Sequence, residues 1–181
     1  MTNHIDLGTV LRQTLTASLY SNLVTRPTGA AVRTQIELQL QSSQRSLTVI
    51  DFSHVSMIDF SCADEVIAKL LLRASGDREA YFVFRGVTDD HWDAIETVLE
   101  RHGLALVIER DGEVELVGVV EDDERRAFQA IKRRGRAECW ELAGDLGEPE
   151  ASVRDALLRM WSRRLIMRQG DAYMPVGELA S

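Results

Sequence analysis

The sequence predicts an α/β domain followed by a small, mainly helical domain that ends in a β-hairpin. Segments with helical and with strand-like apolar spacing alternate as far as Gly118, which is typical of helices layered on a sheet. After the acidic residues 121–124 the pattern changes to three amphipathic helices and two short strands. The length of 181 residues suits two small domains. We therefore predict domains at residues 1–120 and 121–181.

The first half of the α/β domain is predicted from its apolar spacing. Residues 6–17 have helical spacing, and residues 18–24 have the pattern of a strand. Thr28 can cap the helix that follows. The apolar face of that helix carries Val32, Ile36 and Leu40. Residues 47–52 are mostly apolar and β-branched, so they form the clearest strand and are expected to be buried on both faces. A polar connector over residues 53–59 follows.

The helix after this connector begins with either Asp59 or Ser61 as its N-cap. Glu65 and Lys69 are spaced for an ion pair, which we place on the outer side of this helix. Its inner stripe is expected to consist of Ala63, Val66, Ile67, Leu70 and Leu71. The remaining elements are predicted as a turn at Gly76-Asp77, a strand over 81–84, a helix from Asp89 or Asp90 to Gly103, and strands over 104–108 and 113–117 joined at Asp111-Gly112.

Glycines and a proline punctuate the three helices of the second domain. Gly135 is predicted to end the first helix and Gly147 the second, while Pro149 lies in the first turn of the third. Two short strands, over 165–168 and 172–175, flank a turn. Three helices followed by a small hairpin is the order of elements in a winged helix, so we predict that fold for the second domain.

Composition argues against several classes of function. The sequence has no apolar run of about 18 residues and no export signal at its start, which predicts a cytoplasmic protein without a membrane span. Cys62 and Cys139 are expected to be buried thiols rather than a disulfide. The histidines lack metal-ligand spacing, and neither a Gly-rich phosphate loop nor a catalytic triad can be assembled. We therefore predict no metal, no cofactor and no enzymatic activity.

One segment of the first domain resembles the signature segment of STAS domains, the family of anti-sigma factor antagonists. Residues 51–66 read DFSHVSMIDFSCADEV. They are similar in particular to STAS-like relatives, in which a Phe-Ser-x-Ala-Asp-Glu type of helix start follows the strand. Arg26-Pro27-Thr28-Gly29 and its helix also resemble the beginning of such a domain. The resemblance covers residues 18–118.

This resemblance implies a non-enzymatic switch that is operated by a protein partner, such as an anti-sigma factor or a kinase. In the antagonists a serine at this helix start is phosphorylated, and the matching residue here is Ser61. A helix N-terminus can accommodate a phosphate, and the added charge would change a docking surface. The candidate partner-docking residues are Asp59, Met57 and Phe60. The sequence departs from the antagonist pattern where Phe60 replaces a serine and Cys62 replaces a glycine, which makes the loop bulkier.

A structural interpretation of the same residues stays open. Ser61 can be an N-cap, with Asp64 three residues later completing a capping box. Asp59 can equally be a loop-to-helix cap. Met57 and Phe60 are expected to pack against the sheet, and they would become partner contacts only if they are partly exposed.

The third helix of the second domain, over residues 150–163, has the position of a recognition helix. Arginines suit contacts to phosphate or guanine. Helical spacing places Ser152, Arg154, Arg159 and Arg163 largely on outer positions of this helix. The DNA-binding candidates are these four residues together with Arg164, Arg168, Lys132 and Arg133. Acidic residues at the start of the same helix would oppose phosphate binding; they are Asp145, Glu148, Glu150 and Asp155. Trp140 and Trp161 are expected to be core residues rather than stacking platforms.

Two functions follow from these predictions. The first is a transcription regulator, in which the STAS-like domain receives a signal and the winged helix binds DNA. The second is an adaptor of the anti-sigma factor antagonist type, in which both domains bind proteins. Net charge favours neither, because residues 1–120 carry 10 basic and 17 acidic side chains and residues 121–181 carry 11 and 12. A homodimer is a further option, because DNA-reading domains commonly pair to cover two half-sites.

Overall fold

The computed structural model of the chain describes residues 2–15, 22–43, 46–74 and 80–177. The chain divides into two compact units, Met1–Val119 (unit 1) and Val120–Ser181 (unit 2). Within the described residues no helix has the length and apolar character that crossing a bilayer requires. Residues 18–21 of a predicted strand and the predicted turn at Gly76-Asp77 lie outside the described ranges.

Unit 1 is a mixed α/β structure with a mostly parallel sheet. In chain order its described elements are β1 (Asn3–Asp6), α1 (Leu7–Leu15), β2 (Asn22–Leu23), α2 (Arg26–Ser42), β3 (Leu47–Asp51), β4 (Met57–Ile58), α3 (Phe60–Ala63), a π-helical turn (Asp64–Ala68), α4 (Lys69–Ala74), β5 (Tyr81–Arg85), α5 (Asp89–His102), β6 (Ala105–Arg110) and β7 (Glu113–Gly118). This arrangement confirms the predicted α/β class.

The main sheet has the strand order β1-β3-β5-β6-β7. Its first four strands are parallel, and β7 is antiparallel to β6. The hairpin between β6 and β7 is confirmed, because Asp111 and Gly112 both have positive φ, 53° and 78°, as a type I′ turn requires. Strand β1 was not predicted, since Ile5 is its only large apolar residue. The predicted first helix accordingly begins at Leu7.

Two predictions at the segment boundaries are wrong. The connector over 53–59 is not all loop, because Met57–Ile58 forms β4, which pairs in parallel with β2. Thr28 is not the cap of α2, because the helix already begins at Arg26, with Thr25 preceding it. Pro27 explains the early start, since proline is favoured in the first turn of a helix.

Unit 2 consists of three helices and a small antiparallel sheet. Its described elements are α6 (Asp122–Arg134), β8 (Ala137–Glu138), α7 (Cys139–Leu146), α8 (Glu150–Ser162), β9 (Ile166–Gln169) and β10 (Ala172–Pro175). The sheet has the order β8-β10-β9, and both strand pairs are antiparallel. Gly135 and Gly147 follow α6 and α7 with φ of 73° and 63°, which confirms the predicted helix ends. Strand β8 was not predicted.

Candidate functional site

The helix that follows β4 begins at Asp59, whose carboxylate binds three donors. Its Oδ1 accepts hydrogen bonds from the Cys62 amide and the Ser61 hydroxyl, both at 2.8 Å. Its Oδ2 accepts the amide of Thr25 at 3.0 Å. Burial raises the pKa of Asp59, but the hydrogen bonds from the Cys62 amide, the Thr25 amide and the Ser61 hydroxyl together hold this pKa below its usual value. Asp59 is therefore the N-cap, as one of the two sequence alternatives proposed.

Ser61 lies inside the first turn of the helix rather than at its cap. The capping box predicted for Ser61 and Asp64 does not form, because Ser61 Oγ donates to Asp59 and the Asp64 carboxylate binds Arg26 and His102 instead. Ser61 is half-buried. A phosphate on its hydroxyl would lie beside the Asp59 carboxylate, and the two negative charges would repel each other.

The two apolar docking candidates differ in exposure. Met57 is 47% exposed, so the expectation that it packs against the sheet is wrong. Phe60 is half-buried and packs against the core of unit 1, as expected. The guanidinium of Arg101, from α5, lies 5.4 Å from the centre of the Phe60 ring. Met57 therefore has the exposure that a contact with a partner requires.

Thr25 has a strained backbone next to this helix start. Its φ is 73°, a value that β-branched residues rarely adopt. Asp59 holds its amide, while its carbonyl accepts the Cys62 thiol at 2.9 Å and the Gly29 amide at 3.2 Å. The preceding strand β2 is also fixed, because the Asp59 amide donates to Leu23 O at 2.9 Å.

A group of buried charges follows the helix start. Asp64 and Glu65 begin the π-helical turn and are only 8% and 2% exposed. Arg26 donates to both carboxylates, at 2.8 and 2.7 Å. His102 Nε2 lies 2.7 Å from Asp64, and Arg33 and Lys69 both contact Glu65. We call these six residues the unit 1 charge cluster.

The unit 1 charge cluster corrects one prediction and adds residues that sequence reasoning missed. The Glu65–Lys69 pair forms, but Glu65 is buried rather than on the outer side of the helix. Arg26, Arg33 and His102 were not predicted to meet it. The signal that could have found them is the pair of consecutive acids, Asp64-Glu65, directly before the apolar Val66 and Ile67, because acids in such a position need buried partners.

Acidification is expected to destabilise unit 1 through this cluster. Burial raises the pKa of Asp64, but the hydrogen bonds and charges of Arg26 and His102 have the larger combined effect, so this pKa lies below its usual value. Burial likewise raises the pKa of Glu65, and the contacts with Lys69, Arg26 and Arg33 lower it below its usual value. Because both pKa values lie below those of an unfolded chain, the carboxylates stabilise the fold at neutral pH. That contribution is lost as the pH falls below about 4.

Urea unfolding at neutral pH and at about pH 3 measures this loss. The double variant Asp64→Asn/Glu65→Gln is the control, because it has neither carboxylate to protonate. Its free energy of unfolding is expected to fall less with acid than that of the wild type. An equal fall in both proteins would contradict a role for the two carboxylates.

In unit 2 the arginines predicted for α8 are bound by acidic side chains of the same unit. Arg154 contacts Glu150 one turn earlier at 2.5 Å. Arg159 contacts Asp123 and Glu124 at the start of α6, and Arg163 contacts Glu124 at 3.2 Å. Ser152 and Arg154 are exposed, as predicted, whereas Arg163 is half-buried. The prediction that Arg163 faces outward is therefore wrong, because Glu124 draws it toward α6.

The remaining cationic candidates lie around the small sheet and at the end of α6. Arg164 and Arg168 stack on the Trp161 ring, with their guanidinium carbons 5.9 and 5.5 Å from its centre. Arg168 also lies 5.6 Å from the ring of Tyr173. Lys132 is half-buried and Arg133 is exposed, both in the last turn of α6.

The two tryptophans of unit 2 differ from each other. Trp140 is 62% exposed, which contradicts its predicted core position, and its Nε1 donates to Glu138 at 2.9 Å. Trp161 is half-buried, and both of the cations near its ring come from its own unit. The cysteines are both free: Cys62 is fully buried and Cys139 is half-buried.

Unit 1 is of the mixed α/β class with a parallel-rich sheet, and the described part of unit 2 combines three helices with a three-stranded sheet. Among the described residues no group of three or more His, Cys, Asp and Glu side chains is arranged to hold a metal ion. No family model, curated protein or solved structure matches the chain.

Proposed function

We propose that the chain is a non-enzymatic bacterial regulatory protein that acts in the cytoplasm. Unit 1 is a STAS-like domain that receives a signal from a protein partner, such as an anti-sigma factor or a kinase, at the helix start around Asp59 and Ser61. Unit 2 is a winged helix that binds DNA. Neither step requires a cofactor.

The observation that carries this proposal is the order and pairing of elements in unit 2. A helix, a short strand, two helices and two further strands fold so that β10 lies between β8 and β9. Helix α8 buries Val153, Leu157 and Met160, and it exposes Ser152 and Arg154 on its other side. A helix held in this way can place its exposed residues against base edges in a major groove.

For unit 1 the support is the chemistry of the helix start. Ser61 is half-buried beside the Asp59 carboxylate, which accepts hydrogen bonds from two chain segments. A charge added at Ser61 would therefore affect the position of both segments. The exposed Met57 lies in β4, directly before Asp59. An exposed, flexible apolar side chain next to a chargeable group is suited to a protein contact that charge can weaken.

Titration of the full chain with fluorescently labelled duplex DNA tests the DNA-binding part. The affinity is expected to fall steeply between about 50 and 200 mM salt, because cations that bind phosphates release counterions. The variant Arg154→Glu is expected to weaken binding by about tenfold, since it removes one cation and adds an anion on the exposed side of α8.

Arg12→Glu is the matched control for this titration. Arg12 is an exposed arginine on α1 of unit 1, and its reversal changes the net charge by the same amount. Equal losses in the two variants would show that net charge alone matters and would remove α8 as the DNA-contacting helix. Absence of binding by the wild type at low salt would remove DNA binding altogether.

A specific observation favours the adaptor as a second candidate. Arg154 and Arg159 of α8, and Arg163 directly after it, all have acidic partners in their own unit, which lowers the charge that they offer to a polyanion. Unit 2 also exposes Trp140 and Leu158, and exposed aromatic side chains are enriched at protein interfaces. A wild type that fails to bind DNA at low salt but binds a protein partner would select this candidate.

A further inference from the structure

The helix start of unit 1 holds a neighbouring segment in a conformation that it would not adopt by itself. Thr25 is β-branched and has a φ of 73°. Strain of this kind persists only where surrounding contacts impose it, and it is found at elements that switch between two states. Here those contacts are the Asp59 carboxylate on the Thr25 amide and the Cys62 thiol on the Thr25 carbonyl. We call these three residues the Thr25 clasp.

Asp59 is the part of the Thr25 clasp that charge can change. Its two oxygens serve different segments: Oδ1 binds the Cys62 amide and Ser61 hydroxyl of its own helix, and Oδ2 binds Thr25 at the start of α2. A negative charge in place of the Ser61 hydroxyl removes one donor and repels the carboxylate. The carboxylate can then no longer hold both segments in place.

The first turn of α2 is the part that opening would release. Arg26, next to Thr25, donates to Asp64 and Glu65 of the unit 1 charge cluster. Gly29 packs so closely on Cys62 that a Cβ at this position would lie 2.9 Å from Cys62 Cα. Movement of Thr25 would therefore shift Arg26 away from its partners and uncover the Cys62 thiol, which is fully buried in this structure.

We propose that the Thr25 clasp is a two-state switch, closed by Asp59 and opened by negative charge at Ser61, whose opening frees the first turn of α2. The switch deepens the signal-receiving role proposed for this helix start, and it does not depend on whether unit 2 binds DNA. In the closed state the strain at Thr25 is balanced by the hydrogen bonds that the Asp59 carboxylate and the Cys62 thiol make with its amide and carbonyl. In the open state Thr25 has relaxed, and the start of α2 presents a different surface to a partner.

The rate at which iodoacetamide alkylates Cys62 reports clasp opening in the full chain. Cys139→Ser removes the second thiol from every protein compared. Cys62 is inert while the clasp is closed, since it has no exposed surface and its burial, next to Asp59, raises the pKa of its thiol to about 12. Mass spectrometry of samples taken over time gives the alkylation rate under native conditions.

Three variants have defined expectations. Asp59→Asn has only one acceptor oxygen for two segments, and Ser61→Asp adds a negative charge beside the Asp59 carboxylate. Each variant is expected to raise the alkylation rate at least about tenfold, because the loss of a helix cap usually has an effect of this size. Thr25→Gly removes the strain, because glycine accepts positive φ freely, and is expected to lower the rate at least about fivefold.

Asp6→Asn is the matched control. Asp6 precedes α1 as Asp59 precedes α3, and it likewise uses both oxygens, accepting from the Gly8 amide and the Thr9 hydroxyl at 2.9 Å. Asp6→Asn is expected to change the alkylation rate of Cys62 only as much as its effect on the free energy of global unfolding accounts for. That free energy is measured by urea unfolding for all variants. Alkylation that follows global unfolding in every variant, or a Thr25→Gly protein that reacts no more slowly, would overturn the switch.

Two points keep this test decisive. If Asp59→Asn does not fold, Ser61→Asp and Thr25→Gly are still expected to change the alkylation rate of Cys62 in opposite directions. The same proteins can be titrated with duplex DNA, so loss of the clasp effect and loss of DNA binding are observed separately.

Discussion

Replacement of Glu65 by glutamine is expected to lower the free energy of unfolding of unit 1 by about 3 kcal/mol. The Glu65 carboxylate is buried and contacts three cations, Arg26, Arg33 and Lys69. Arg26 and Lys69 can turn to solvent, but the Arg33 side chain is only 12% exposed. The large effect arises because glutamine leaves Arg33 as a buried cation without its main counter-ion, and an uncompensated buried charge is costly.

Urea unfolding of the full chain measures this effect, with Glu37→Gln as the control. Glu37 also contacts Arg33, at 3.5 Å, and binds the exposed Arg73 at 2.7 Å. Because this pair is nearer the surface, its loss is expected to cost less than about 1 kcal/mol. If the two variants lose the same free energy, the buried position of Glu65 has no special importance for the fold.

Replacement of Glu124 by alanine is expected to lower the free energy of unfolding of unit 2 by about 2 kcal/mol. The Glu124 side chain is 1% exposed and binds three donors. It accepts Arg159 and Arg163, each at 3.2 Å, and the amide of Glu121 at 3.0 Å, which completes the capping box of α6. Alanine removes the cap and a side chain that joins both arginines to α6.

Glu141→Ala is the matched control for Glu124. Glu141 completes the equivalent capping box of α7, accepting the Glu138 amide at 2.8 Å, and contacts the single arginine Arg134 at 3.1 Å. It is more exposed than Glu124, so its loss is expected to cost about 1 kcal/mol. A Glu124→Ala protein no less stable than Glu141→Ala would show that Arg159 and Arg163 do not stabilise unit 2 through Glu124.

The elements that could be predicted from the sequence are those specified by local patterns. The strand at 47–51 has its own run of β-branched residues, and the ends of α6 and α7 are specified by glycines that adopt positive φ. Strands β4 and β8 are only two residues long. So short a segment has no pattern of its own and becomes a strand only because a partner strand lies beside it.

The same physical reason separates the predicted part of the site from the part that was missed. Asp59 could be named as one of two alternative caps because the residues that it caps follow it directly. Arg26 and Asp64 are 38 positions apart, and only the fold brings them together. The arginines of α8 were assigned to its outer side from helical spacing alone, which does not include the acids that α6 presents to Arg159 and Arg163.

Strand β7 affects how the protein behaves at high concentration. It lies at one edge of the main sheet, where its outer side has no neighbouring strand among the described residues, and its side chains include the exposed Glu113 and Glu115. Another chain that paired with this edge would have to bring its own backbone against those carboxylates. Charged edge strands of this kind protect a sheet against edge-to-edge aggregation. At this edge, the charges of Glu113 and Glu115 therefore disfavour the addition of a further strand, which is the step that leads to fibrils.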